Sequence, residues 1–287
     1  MTAPGPWVVD LPGFPALGRA RVMGILNVTP DSFSDGGAYP DVAAAVRHGL
    51  ALLAQGADLL DIGGESTRPG AIRVSPEVEH ERVLPVVTAL VAEGATVSVD
   101  TMRASLAARA MDAGAVMIND VSGGTADPAM APLLARRGVA YLVMHARGCS
   151  ADMTGPAHYT DVVGEVRTEL AKRLAAVVAA GVTPAQVLLD PGFGFHKVGE
   201  QNWELLARLE RFGALGRPLV VGASRKSFLG ALLTGPDRIP RPVGARDAAT
   251  HATTALAAAA GAWGVRVHEV APSADAVRVA AAWARAR

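Results

Sequence analysis

Thr96-Val97-Ser98-Val99-Asp100-Thr101 leads into a helical pattern over residues 103–112, a glycine at Gly114, and then Val116-Met117-Ile118-Asn119-Asp120-Val121. A short apolar run, a longer amphipathic run and a second short apolar run form the pattern of a strand–helix–strand unit. The runs carry apolar residues on both alternating sets of positions, which suits strands covered on both faces in a parallel sheet. The same alternation extends in both directions. Strand patterns cover residues 21–28, 58–63, 96–101, 116–121, 139–145, 187–190, 218–224 and 265–270. Helical patterns cover residues 41–55, 76–93, 103–112, 128–137, 160–180 and 201–211, and a last one at 273–285 closes the chain. Ser75 stands where a helix cap is needed, with Pro76 at the first helical position and Gly94 past the end. The connection before the last strand is longer, with a short helix at 225–233, a Pro/Gly loop and a helix at 245–260.

Eight such units with no break in composition predict an α/β fold, a single-domain (β/α)8 TIM barrel over residues 21–287. An open doubly wound sheet is the alternative, and eight regular units suit it less well. Residues 1–20 are interrupted by Pro4, Pro6, Pro12 and Pro15 and read as an irregular arm, a short plug under the barrel, and not as a signal peptide. The chain of 287 residues balances 27 Lys plus Arg against 27 Asp plus Glu. That neutrality gives no long-range attraction to nucleic acid or to an anionic membrane. Cys149 is the single cysteine, which excludes an internal disulfide and a structural zinc site and suits a reducing, cytoplasmic setting. No apolar run approaches the roughly 18 residues that a spanning helix requires.

In a barrel, chemistry collects where the strands end. The first strand ends at Asn27, before a polar loop with one aromatic and a double glycine. That loop reads either as a mobile lid or as a turn capped by Asp31 or Asp35. The second leads into Gly63-Gly64-Glu65-Ser66-Thr67-Arg68-Pro69-Gly70, where Arg68 could clamp an anion or merely pair with Glu65 or Glu77. Asp100, Asn119 and Asp190 end the third, fourth and sixth strands. Each alone is an ordinary helix cap. Together they offer the acceptors and donors that a flat heterocycle with several N–H groups wants. Ser224-Arg225-Lys226-Ser227 follows the seventh strand and opens a short helix, a place that suits anions. On the eighth, Arg266 and His268 share a face amid Val265, Val267 and Val270. A strand arginine there needs an anion. Glu269 points the other way, so a phosphate site is expected. His145 either lines the mouth or is a satisfied core histidine. Gly192-Phe193-Gly194-Phe195 lacks the third glycine of a dinucleotide fingerprint.

Two long segments carry a resemblance. They are Asn27-Val28-Thr29-Pro30-Asp31-Ser32-Phe33-Ser34-Asp35-Gly36-Gly37 and Asp61-Ile62-Gly63-Gly64-Glu65-Ser66-Thr67-Arg68-Pro69-Gly70. Both resemble the signatures of dihydropteroate synthase. Asp190-Pro191-Gly192-Phe193-Gly194-Phe195, Gly222-Ala223-Ser224-Arg225-Lys226-Ser227 and Arg266-Val267-His268 match further blocks in order. The likeness runs from about position 21 to the end, and is greatest to actinobacterial members. It implies a homodimeric, cytoplasmic transferase of a kind targeted by sulfonamides. Such an enzyme joins a dihydropterin methyl diphosphate to p-aminobenzoate with Mg²⁺. It further implies that Asp100, Asn119, Asp190 and Lys226 contact the pterin and Asn27 the metal. Arg266 and His268, with Arg68, Ser66 and Thr67, would surround the diphosphate and the aminobenzoate. Phe33, Pro69, Phe195 and Ser227 would form the aminobenzoate pocket, and Asp35 would be a lid carboxylate near the reacting carbon. Two departures stand out: Ala146-Arg147-Gly148-Cys149-Ser150 after His145, and His196 where a small residue is usual. A methyltetrahydrofolate–corrinoid methyltransferase on the same barrel would not need the Ser224-Arg225-Lys226 and Ser66-Thr67-Arg68 blocks. A non-catalytic pterin-binding paralogue would have lost lid or eighth-strand groups, and these are intact.

Overall fold

A computed structural model of the chain describes residues 11–29, 41–65, 73–147 and 158–286. Eight parallel strands form one sheet: β1 Arg21–Asn27, β2 Leu59–Gly63, β3 Val97–Asp100, β4 Met117–Asp120, β5 Ala140–Met144, β6 Val187–Asp190, β7 Val220–Val221 and β8 Gly264–Val267. They run in the order β6-β5-β4-β3-β2-β1-β8-β7. The ends of that row meet where Leu189 bridges Leu219 and the Leu189 N–H donates to the Pro218 carbonyl at 2.9 Å. The sheet is thus closed, and the fold is the (β/α)8 barrel.

Helices α1 Val42–Ala54, α2 Pro76–Ala92, α3 Ala104–Asp112, α4 Met130–Arg137, α5 Val162–Ala179, α6 Gly199–Ala207, α7 Ser227–Leu232, α8 Asp247–Ala259 and α9 Val270–Arg285 accompany the strands. Their starts follow local chemistry. Ser75 Oγ accepts the Val78 N–H ahead of Pro76, and Asp41 and Asp161 cap α1 and α5 in the same way. Several boundaries differ from the periodic reading. The pattern at 201–211 divides into α6 and a 3-10 segment, Leu209–Leu215. The seventh strand shrinks to two residues, with Gly222 beside Asp190 and Lys226 held by a turn onto the Ala223 carbonyl. Val270 belongs to α9 and not to the eighth strand, because Pro272 is tolerated in a first helical turn, where its missing N–H would have no partner.

Inside the barrel, side chains alternate along every strand. The lower layer holds Met23, Leu59, Met117, Leu142, Leu188 and Val220, all buried. Leu11 and Phe14 join it from the preceding segment, and Phe14 meets Trp263 edge-on at 5.4 Å. The Arg21 guanidinium stacks over Trp263 at 4.6 Å and donates to the Pro15 carbonyl. The bottom of the barrel is therefore sealed with apolar and aromatic groups, and polar chemistry is confined to the opposite end. No helix among the described residues is long and apolar enough to cross a membrane. Removing the Phe14 ring should open a cavity beneath the barrel. Phe14→Ala is expected to cost about 3 kcal/mol in urea denaturation; a loss under ~1 kcal/mol would show that Phe14 is not part of the seal.

Candidate active site

Register places the polar groups at one level. Asn27, Gly63, Asp100 and Asn119 are successive partners across β1, β2, β3 and β4. Below them, Asp61 is fully buried and works as a hub. It accepts Ser98 Oγ at 2.7 Å, Asn119 Nδ2 at 2.9 Å and Arg266 Nε at 2.6 Å. Arg266 Nη2 continues to Asp100 Oδ2 at 2.9 Å. Asn119 gives an amide N–H to Asp61 below it, and its carbonyl oxygen accepts no protein hydrogen bond among the described residues. The Asn27 amide makes no hydrogen bond among the described residues and stays half-exposed.

On the far wall, Asp190 ends β6 and accepts the Gly192 N–H at 2.7 Å. Gly192 has φ +71°, and a Cβ there would lie 1.9 Å from the His145 carbonyl oxygen, so only glycine fits. Lys226 sits with its ammonium 4.0 Å from the centre of the Phe195 ring. A Cβ on Gly194 would press on the Lys226 stem, so this loop is shaped to the lysine. Ser224 Oγ accepts the His268 N–H at 3.2 Å and lies 3.0 Å from His268 Nδ1. With Nδ1 as the acceptor of the Ser224 hydroxyl hydrogen, the imidazole proton lies on Nε2.

These groups perturb one another. Burial pushes the Asp100 carboxyl up to about 7 against the pull of Arg266, and Asp61, Glu79 and Asp120 add to the rise. Burial pushes Asp190 up to about 6, opposed by the Gly192 N–H and by Lys226, Lys197 and Arg266. Lys226 is pushed down to about 8, first by burial and then by Arg266. His268 falls to about 3 through burial and the nearby Arg266, Arg225 and Lys226, so it is a neutral donor at physiological pH. Burial works against the Arg266 cation, but Asp61 and Asp100 outweigh it. A bowl with two raised carboxylates, a lowered lysine and a neutral imidazole is set up for a polar, flat ligand bearing an anionic group.

The structure brings Asn27, Asp100, Asn119, Asp190, Phe195, Lys226, Ser227, Arg266 and His268 to this end of the barrel, with Ser227 exposed at the start of α7. Phe33, Asp35, Ser66, Thr67, Arg68 and Pro69 lie outside the described residues. Arg266 is not the unpartnered strand cation that its flanking valines suggest. Asp61 and Asp100, on other strands, already neutralise it. Glu269 does face away from it, and pairs with Arg225 at 2.8 Å. His145 points out of the barrel onto α5, where its Nε2 meets Glu169 at 2.8 Å, so it is a satisfied core histidine. Glu65 pairs with Arg73 and Arg103. Asp120 is also turned outward, binding Ser122, Gly124 and the Tyr141 hydroxyl. Sequence reasoning passed over Asp61 as a functional group. Its parity with Gly63 on β2 was the available signal, since alternation turns both inward.

A closed barrel whose strand ends converge on such a bowl defines the class, an enzyme that binds a polar heterocycle at its mouth. Residues 23–268 match the family described as "Pterin binding enzyme", and the chain belongs to it, among the dihydropteroate synthases. It is 54% identical over 272 residues to the dihydropteroate synthase of Mycobacterium leprae, covering 94% of this chain and 96% of that protein. The structure of Xanthomonas albilineans dihydropteroate synthase with 4-aminobenzoic acid is 47% identical with a TM-score of 0.85, covering 94% of each chain. That of Yersinia pestis dihydropteroate synthase in a sulfonamide drug complex is 38% identical with a TM-score of 0.89, covering 98% of this chain and 100% of that one.

Breaking the hub tests its weight. Asp61→Asn removes the charge that Arg266 and Asn119 share. It should cost about 3 kcal/mol in urea denaturation, as for a buried pair that loses one partner. A cost below ~1 kcal/mol would mean that Asp100 alone balances Arg266.

Proposed function

We propose that this enzyme is a transferase that condenses (7,8-dihydropterin-6-yl)methyl diphosphate with p-aminobenzoate, releasing diphosphate and forming 7,8-dihydropteroate for folate synthesis. The supporting observation is the single bowl that holds Asp100, Asn119, Asp190, Lys226 and Arg266 together. Asp100, Asp190 and the Asn119 carbonyl accept ring N–H groups, and Lys226 donates to a ring acceptor from above Phe195. Arg266 keeps its second terminal nitrogen for the ligand. His268, neutral and protonated on Nε2, donates to the diphosphate alongside Arg68, Ser66 and Thr67. Phe33, Pro69, Phe195 and Ser227 enclose the aminobenzoate.

In this reading the C–O bond to the diphosphate breaks first, and its electron pair leaves with the diphosphate. Arg266 and His268 stabilise that developing charge. The pterin ring delocalises the cation, and Asp35 faces it. The aryl amine is already unprotonated at neutral pH, so its nitrogen adds and then sheds a proton without a strong base. Closure of the first loop excludes water from the cation. Mg²⁺ fits as a metal held mostly by substrate. No group of three or more His, Cys, Asp or Glu side chains suited to a metal occurs among the described residues, and Asn27 offers one neutral amide oxygen at the end of β1. When bound, the ion would shield the diphosphate's charge, with water and phosphate oxygens completing its shell. The partners are thus two small molecules, with neither nucleic acid nor membrane. A homodimer is the expected assembly, in keeping with the exposed Leu256, Val279 and Trp283 on α8 and α9, and light scattering tests it.

The deciding experiment mixes protein, pterin diphosphate, p-aminobenzoate and Mg²⁺, leaving each out in turn, and follows diphosphate and dihydropteroate. Product should require every component, and a sulfonamide should inhibit in a manner that excess p-aminobenzoate reverses. Diphosphate release without dihydropteroate would refute the assignment.

A pH series tests the pterin contacts. The raised Asp190 and Asp100 are more than half ionised only above about 6 and about 7, and an ionised acceptor is what the ring N–H groups need. Pterin affinity should therefore be greatest between about 7 and about 8, fall as pH drops through 7 and then 6, and weaken again as Lys226 loses its proton above about 8. In Asp190→Asn it should be at least about tenfold weaker, with a shallower acid limb, because one proton uptake is gone. An unchanged limb in calorimetric titrations would remove Asp190 from the contact.

A further inference from the structure

Behind the Asp190 wall lies a buried basic residue that the reaction itself does not use. Lys197 follows the Gly192-Phe193-Gly194-Phe195 loop and is buried with its ammonium inside the loop's curve. An ammonium has three N–H donors, and three acceptors surround this one: the Gly192 carbonyl at 2.9 Å, the Phe195 carbonyl at 3.0 Å and His145 Nδ1 at 3.0 Å. Accepting at Nδ1 keeps the His145 proton on Nε2, which donates to Glu169 Oε2 at 2.8 Å. Burial pushes the Lys197 ammonium down to about 7 against the pull of Asp190 and Glu169, so below that pH a cation, a neutral imidazole and a carboxylate are joined in line, with the half-buried Glu169 on α5 balancing the charge.

The two carbonyls that Lys197 grips belong to the residues that face the site. Gly192 donates its N–H to Asp190 Oδ1, and Phe195 is the ring beneath Lys226. Asn202 holds the same loop from outside, accepting the Gly194 N–H at 2.7 Å and donating to the Lys197 carbonyl at 3.0 Å. Gly192, Gly194 and His196 all have positive φ, so the segment curls back on itself, and its N–H groups pair within the turn and with Asp190 and Asn202, while the carbonyls of Gly192 and Phe195 accept from Lys197. Its shape rests on the ammonium at its centre.

We infer that Lys197 is a positioning residue for the pterin half of the reaction, orienting the Asp190 carboxylate and the Phe195–Lys226 platform through the loop carbonyls, with His145 and Glu169 as its support. The inference rests on the proposed pterin site. It predicts a split that general destabilisation would not give, because Lys197 supports Asp190 and the Lys226 platform of the pterin site, whereas of the p-aminobenzoate groups only Phe195 lies on this loop. It also predicts an electrostatic signature. Lys197, Lys226 and Arg266 are the cations that hold the Asp190 carboxyl down against burial, so removing one of them lets it rise further.

The test is Lys197→Met, which keeps the stem and removes the charge and all three donors. 6-Hydroxymethylpterin serves as the probe in calorimetric titrations between pH 5 and 9, with circular dichroism and melting to check folding. The variant should bind the pterin about tenfold more weakly or worse, the scale on which orienting partners outside the ligand's contact shell are felt. Its lower acid step should move up by about half a unit to one unit. In turnover, KM for the pterin diphosphate should rise while KM for p-aminobenzoate stays within about twofold. Should Lys197→Met fail to fold, Lys197→Gln keeps hydrogen-bond donors under the loop and removes the charge, and it should move the same acid step in the same direction with a smaller loss of affinity. Wild-type protein that ignores the pterin would overturn the functional reading. Wild-type protein that binds it, with a folded Lys197→Met that keeps both the affinity and the acid step, would overturn this inference alone. Equal losses for both substrates would do so as well.

Discussion

The Asp61 carboxylate is the fixed point of the molecule's chemistry. It is fully buried, and Ser98, Asn119 and Arg266 all donate to it. Those donors come from three strands, so the hub ties β2, β3, β4 and β8 together just beneath the mouth. A buried carboxylate is tolerable only when its lone pairs are engaged and its charge is met. Meeting that condition holds the Asn119 amide and draws Arg266 across the barrel to Asp100. Three of the groups at the barrel mouth are therefore set by one beneath it.

The opposite wall is built on another principle. Asp190 is held by a backbone N–H from a glycine-rich loop, and the loop takes its form from an internal cation, Lys197. One half of the bowl is thus organised by a shared anion and the other by a shared cation. Each polarity is kept close to neutral by local pairing, which accounts for a bowl rich in charge inside a chain with no net charge. The bottom of the barrel completes the arrangement from below. Leu11, Phe14 and Trp263 close it with apolar surface, so the polar layer has solvent on one side only. Low polarisability below and fixed donors above strengthen each interaction at the mouth.

Individual residues show how far the sequence could be read. The strand-ending Asp100, Asn119 and Asp190 were legible because alternation turns them inward and polar side chains at strand ends stand out against apolar runs. Asp120 ends the same strand as Asn119, yet parity sends it outward to cap the loop before α4. His145 was ambiguous for the same reason, and its neighbours on α5 decided it. Arg266 was legible as a charge in need of a partner, but its partners lie 205 and 166 positions away, beyond any local pattern. Lys197 was not legible at all, since a lysine in a loop is ordinarily solvated, and only the curl of the preceding loop encloses it.

The order of apolar runs, helix caps and turn glycines determined by itself that this chain makes eight strand–helix units, because periodicity and capping act over a few residues. The motif residues likewise marked which strand ends are polar. Tertiary structure alone decided which charges neutralise which, since closure of the barrel brings β8 beside β1 and within reach of β2 and β3. Coulombic pairing depends on distance in space and burial, and neither is a property of position along the chain.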